Sequence, residues 1–171
     1  MGSRDLRRVP MVRDALSGDA AAVRDVASAA WRDTYAGLLA DATIESFVAS
    51  AYSIERLERR IAGHTFLVVD DGHRIVAFAD AIPETDHVNL VAIYALPEWR
   101  GRGAGTALLD IVRARFPGLP IAADVLEGNR KGETFYEHRG FEPRERLEEE
   151  LFGEAVLERR WWLDVPPPAG G

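Results

Sequence analysis

The spacing of apolar residues changes period several times along the chain, and each change marks a new element. Between Ala20 and Tyr35, the positions Val23, Val26, Ala30 and Trp31 fall at helical spacing, and Gly18-Asp19 ahead of them offers an N-terminal cap. Asp41 caps a second helical stretch to about Ser50, and Ser53 a third to Ile61, which Gly63 stops. The period then shifts to that of strands. Thr65 to Val69 and Arg74 to Ala81 are β-rich runs joined by Asp70-Asp71-Gly72-His73, and Asp-Gly between such runs is a hairpin signal; Pro83 ends the second. Val88 to Leu96 is an apolar run suited to a buried strand, and Ala107 to Phe116 returns to helical spacing before Pro117-Gly118 breaks it. Pro120 to Leu126 reads as a strand. Asn129 caps a helix through about Arg139, where Gly140 ends it. Arg144 to Leu151 and Ala155 to Leu163 read as a final hairpin across Phe152-Gly153-Glu154. A first strand is expected over Asp5 to Met11, and a frayed tail over Pro166 to Gly171.

Composition narrows the classes of function. The chain has 171 residues and is 47% hydrophobic, which suits one globular domain over residues 1–165. It has no cysteine, so disulfides, thiolate zinc sites and thiol catalysis drop out. Four scattered histidines without paired helical spacing give no reason to expect a metal site. His64, His73 and His138 read as loop or helix-surface residues. Met1 to Val12 is charged and unlike a signal peptide, and no apolar run reaches the ~18 residues of a membrane span. A cytoplasmic, membrane-free protein is therefore the default expectation. The net charge of −7 argues against nucleic-acid binding and is compatible with attracting a cationic amine.

The most informative stretch is Ala95 to Thr106, A-L-P-E-W-R-G-R-G-A-G-T. Three glycines sit where a strand turns into a helix, a place that exposes free N–H groups at the positive end of the helix dipole. Glycine also lets a phosphate approach that backbone closely. A P-loop requires a Lys after the glycines, and none follows. The dinucleotide fingerprint requires a third glycine where Thr106 stands, although Asp124 at the end of a later strand imitates its ribose-binding acid. Arg100, Gly103 and Gly105 instead fit a pattern of Arg or Gln, two residues, Gly, one residue, then Gly or Ala. A second motif, Asn129 to Phe141, places Tyr136 seven residues after Asn129 and Gly140-Phe141 four residues further on. With these two motifs in this order, the chain resembles the GCN5-related N-acetyltransferase (GNAT) family, weakly from about Leu6 and firmly from about Thr65 to Phe141.

The resemblance implies a mixed α/β fold, an acyl-CoA N-acyltransferase sheet in the order β-α-α-β-β-β-α-β-α-β-β, with the strand before the glycine turn splayed from its parallel neighbour. It implies acetyl-CoA as cosubstrate and no metal. Gly101, Arg102, Gly103, Ala104, Gly105 and Thr106, with Arg100, would bind the pyrophosphate. Ile93, Tyr94 and Ala95 would offer backbone partners to the pantetheine arm, with Ala95 standing where the family often has Val. Asn129 matches the family's coenzyme-contacting Asn, and a plain helix cap is its equal alternative. Tyr136 matches the tyrosine that protonates the leaving thiolate.

The proton acceptor is less plainly written. Many relatives have a Glu where this chain has Asn89, and an amide cannot take a proton. Another branch places a Glu five residues before the signature Asn, where this chain has Asp124; Asp80, Glu84 and His87 are further candidates. Trp31 and Tyr35 share a helix face within a stretch that resembles the roof of the acceptor site in small-substrate relatives, and core packing is their alternative role. Arg144 to Glu150 reads as an exposed, charged edge. The acceptor implied is a small-molecule or peptide amine, attacking directly because no cysteine can carry the acetyl group. Homodimers are common in the family. A non-catalytic acyl-CoA sensor is the competing class.

Overall fold

The computed structural model describes residues 10–166. Seven strands form one sheet in the order β1-β2-β3-β4-β5-β7-β6. They are β1 (Met11–Asp14), β2 (Thr65–Asp70), β3 (Ile75–Pro83), β4 (Val88–Ala95), β5 (Ile121–Leu126), β6 (Glu142–Leu151) and β7 (Glu154–Leu163). The helices are α1 (Ala20–Tyr35), α2 (Asp41–Ala51), α3 (Ile54–Gly63), α4 (Ala104–Arg115) and α5 (Arg130–Glu137). Three helices precede β2 where the expected order counts two. The first strand runs from Met11 to Asp14, later than expected; Asp5 to Val9 lies outside the described residues, as does the tail beyond Pro166.

Local chemistry explains most boundaries. Ser53 caps α3 by accepting from the Arg56 amide. Asp19 stands at the N-cap of α1, yet its carboxylate accepts from Arg13 and the Leu16 amide. Asp41 is the first residue of α2, not its cap; the Ala40 N–H at that end donates to Glu154 at 2.8 Å, a cap delivered from β7. Phe152 and Gly153 both have positive φ, 47° and 82°, the turn that joins closely spaced antiparallel strands. β6 is almost entirely exposed along one edge of the sheet, as its charge density predicts.

One sheet face lies under α1 to α3 and is aromatic. Trp31 stacks on Phe47 with centroids 4.0 Å apart, Tyr52 meets Phe78 at 5.9 Å, and Phe78 meets Tyr94 at 6.0 Å. The opposite face receives Leu108, Leu109 and Val112 of α4 and Tyr136 of α5. Asp80 is fully buried on β3. Its carboxylate accepts from Arg60 Nε at 2.8 Å, and its other oxygen lies 2.8 Å from His64 Nδ1. His64 lies in the bend between α3 and β2, as its position suggests, and is also the partner of a buried acid.

Every strand pair is antiparallel except β4 and β5. That parallel pair holds only at Val88–Ile121 and Asn89–Ala122. One residue further along β4, the register with β3 shifts: Ala81 faces Leu90 but Asp80 faces Ala92, leaving Val91 as an extra, exposed residue. A bulge of this kind bends its strand. β4 stays paired with β3 to Ala95 and parts from β5 after Asn89, which is the splay the resemblance implies.

Removing the Asp80 carboxylate leaves the Arg60 guanidinium uncompensated in a buried site. Asp80→Ala is expected to cost about 3 kcal/mol or more, read as a drop in the urea midpoint of unfolding. Arg60→Met together with Asp80→Ala should recover much of the loss.

Candidate active site

The glycine turn follows β4 directly, through a 3-10 turn at Pro97–Trp99. Gly101 and Gly103 adopt φ of 73° and 87°, and Gly103 caps α4 in the left-handed region that other residues enter at about 1–2 kcal/mol. The first helical bond of α4 runs from the Ala107 amide to Gly103 O. The amides of Ala104, Gly105 and Thr106 therefore precede the helical ladder and point out of the helix N-terminus, where an anion is favoured.

The charged side chains around this turn are already engaged. Arg100 donates to Asp33 of α1 and, at 3.1 Å, to the Thr34 hydroxyl. Lys131, the first turn of α5 and the chain's only lysine, donates to the same Asp33 carboxylate at 2.8 Å. These two cations hold the Asp33 carboxyl below the usual carboxylate range, Lys131 more than Arg100. Asp33 is thus an internal counter-ion for the turn, and nothing in its sequence neighbourhood singles it out. Arg102 lies over the Trp99 ring at 5.1 Å.

α4 and α5 meet with no room to spare. A Cβ at Gly105 would come within 2.5 Å of the Phe135 ring, which is itself covered by Arg139 at 3.7 Å. Arg139 also donates to the Thr106 hydroxyl and to Phe135 O. The two sequence motifs are therefore in direct contact. Asn129 is buried and caps α5 by accepting from the Gly132 amide at 3.0 Å, and the Tyr35 hydroxyl lies beside it. Both of its expected roles remain compatible with this position.

Where β4 leaves β5, a cluster of phenols fills the space. The Tyr35 and Tyr94 hydroxyls are 2.9 Å apart. Tyr136 is buried on α5, packed on Phe135 and Phe141, and within electrostatic reach of Tyr35 and Asp124. Burial is the first cause of the upward shift of all four tyrosines, Tyr35 to about 12 and Tyr52, Tyr94 and Tyr136 also upward. Each phenol stays protonated at neutral pH and can act as a donor. Trp31 is buried in the aromatic roof, so core packing describes it; Tyr35 packs there too, but its hydroxyl reaches the cluster. Ile93, Tyr94 and Ala95 have β3 on one side and no strand on the other, which leaves that backbone edge open.

The acids fall in different places. Asp124 lies on the roof face of β5, and both its oxygens accept from Arg160, at 2.7 and 2.9 Å. That commitment opposes the expected role of base, because a lone pair turned to a substrate would come at the expense of the ion pair. Asp80 lies beneath α3, fully buried, and both its oxygens are engaged, by Arg60 and His64. Glu84 is an exposed loop residue, and His87 pairs with Asp86 at 2.7 Å while packing on Trp162. Glu158 on β7 received no attention in the sequence, since a Glu in a charged hairpin carries no motif. It sits opposite Leu126 on the face that carries Asp124. Among the described residues there is no cluster of three or more His, Cys, Asp or Glu suited to a metal, and no helix long and apolar enough to cross a membrane.

Residues 62–143 match the family model of the acetyltransferase (GNAT) domain. No curated protein matches the sequence. Among solved structures, the PaiA N-acetyltransferase of Thermoplasma acidophilum, in complex with coenzyme A, aligns with a TM-score of 0.76 at 23% identity over 88% of this chain and 98% of its own. A GCN5-related N-acetyltransferase of Rhodopseudomonas palustris aligns with a TM-score of 0.79 at 20% identity, covering 95% of this chain and all of its own. A protein of Corynebacterium glutamicum described as histone acetyltransferase HPA2 and related acetyltransferase gives 0.69 at 20%, covering 94% and 99%. At these identities the likeness is one of fold.

The unfolded chain ionises its tyrosines near pH 10, while the folded chain holds them neutral to higher pH, so stability is full below about 10 and is lost as pH rises beyond it. With a single lysine, few other groups titrate there. Urea unfolding at pH 8 and pH 11 should show the loss, and Tyr35→Phe should make it smaller. Gly105→Val should push Phe135 aside and weaken binding of coenzyme A at least tenfold by isothermal titration while the fold survives; wild-type affinity would refute the tight contact.

Proposed function

From the match of residues 62–143 to the acetyltransferase (GNAT) domain model, we propose that the protein is an acetyl-CoA-dependent N-acetyltransferase that acts on a primary amine by direct attack within a ternary complex. The observation that carries the reading is the early parting of β4 from β5, which leaves a strand edge unpaired between a helix N-terminus and a buried phenol.

In this reading the amides of the Gly101–Thr106 turn hold the pyrophosphate, with Arg100 and Arg102 adding charge-assisted contacts. Arg100 and Lys131 turn from Asp33 towards phosphate oxygens. The open edge of Ile93, Tyr94 and Ala95 pairs with the amides of the pantetheine arm, and Asn129 borders it. The bound molecule supplies an acetyl thioester; the chain supplies orientation, exclusion of water and protons. Amides of the same open strand edge are the donors available to the thioester oxygen. Tyr136, kept protonated by burial, donates to the sulfur as it leaves.

The acceptor is a small amine in preference to a protein N-terminus. Support comes from the roof of α1 and α2, whose connecting loop sets Leu38 against Gly128 beside Asn129 and so crowds the approach from that side. An exposed peptide backbone would need a wider approach.

Tyr136→Phe is expected to lower kcat by about a hundredfold and to leave acetyl-CoA affinity unchanged in isothermal titration. Full activity in that variant would remove Tyr136 from the mechanism. Titration of the wild-type protein with acetyl-CoA, using NAD as the control ligand, tests the premise. No binding of acetyl-CoA refutes it, and binding without turnover across a broad amine screen identifies a sensor instead.

A further inference from the structure

Acetyl transfer to an alkylamine requires removal of a proton, because such an amine is a cation at neutral pH. The family's usual acid is replaced by Asn89, and Asp124 is held by Arg160. Among the carboxylates on the same sheet face, one is half-buried and not spoken for. β5 and β7 pair so that Asp124 faces Arg160 and Leu126 faces Glu158. β6 brings Leu147 opposite Glu158 and Glu149 opposite Val156, so Glu149 flanks it on the outer side. Glu158 is half-buried, and among the described residues it has no ion-pair or hydrogen-bond partner. Its charge is felt by the Tyr35 phenol, which ties it to the phenol cluster.

Resting on the acetyltransferase reading, we propose that Glu158 is the proton acceptor of the reaction and the docking site for the ammonium group of the acceptor. Asp124 and Arg160 neutralise each other beside it, so Asp124 is a positioning residue that keeps Arg160 from pairing with Glu158. The groups that face Glu158 are Asp124 from β5, Arg160 from its own strand, Glu149 from β6 and Tyr35 from α1. Burial first, then the charges of Asp124 and Glu149, raise its carboxyl above the usual range, against a smaller opposing effect of Arg160. A carboxylate raised in this way is a better base for an ammonium than an ordinary one.

The ammonium gives one proton to the Glu158 carboxylate. The freed lone pair forms the C–N bond, the C–S bond breaks, and its electron pair leaves on sulfur. Tyr136 gives its proton to the thiolate, and the second proton that the nitrogen loses as the amide forms restores Tyr136 by way of water. Glu158 releases its proton to water. The sum is amide, free thiol and one proton.

The test uses the full chain with an amine acceptor found in the screen, and compares Glu158→Gln, Glu158→Asp and Asp124→Asn by the pH profile of kcat and by acetyl-CoA titration. For the wild type, kcat should rise with pH through a limb whose midpoint lies above the ordinary glutamate value of about 4.3. Glu158→Gln should lower kcat about a hundredfold and abolish that limb with coenzyme affinity intact; Glu158→Asp should restore part of the rate and the limb. Asp124→Asn should slow the enzyme but keep the limb. A wild-type rate and profile in Glu158→Gln overturns the proposal, as does the reverse pattern in which only Asp124→Asn removes the limb. Failure of the wild-type protein to bind acetyl-CoA or to acetylate any amine refutes the acetyltransferase reading itself, and the role of Glu158 with it. Binding and turnover with an unaffected Glu158→Gln refutes only the latter.

Discussion

Two residue pairs, Val88 with Ile121 and Asn89 with Ala122, are all that join the two halves of the sheet. The site rests on how soon that pairing stops. β4 cannot continue beside β5, because the extra residue Val91 bends it while β3 keeps hold of it up to Ala95. The backbone edge so released is unpaired without being a sheet edge exposed to solvent on both sides, a state that costs free energy unless a ligand or ordered water completes it. The glycine turn and α4 then start where the strand ends, so the open strand edge and the anion-binding amides share one backbone path.

The second constraint is contact between the two motif-bearing helices. Gly105 admits the Phe135 ring, and Arg139 clamps that ring from behind while reaching Thr106. The helix that supplies Tyr136 is thereby fixed to the helix that supplies the anion-binding amides. Asp33 performs the matching service from the other side. By holding Arg100 and Lys131 it ties α1 to the glycine turn and α5.

Much of this was legible in the chain. The Asp71-Gly72 hairpin, the Ser53 and Asn129 caps, and the glycine turn depend on local backbone chemistry, and local chemistry is what a sequence displays. Tyr136 and Asn129 stood out because their motif spacing reflects one helix. The residues that escaped notice have long-range partners. Glu154 caps a helix more than a hundred positions earlier, Asp33 meets a later turn and a later helix, and His64 finds Asp80 only when α3 docks on β3. Asp124 was visible as an acid in the right place, but its engagement by Arg160 arises from the β5–β7 register, which no spacing along the chain encodes. Glu158 was hidden for the same reason.

β7 is the last strand in chain order, yet it lies inside the sheet between β5 and β6. It supplies Glu154 to α2 and Arg160 to Asp124, and it sets Glu158 opposite Leu126. Until β7 has been made, β5 has only its two residue pairs with β4 to hold it, and β6 has no strand to pair with. The far half of the sheet therefore closes in a single late event, when one central strand slides into place.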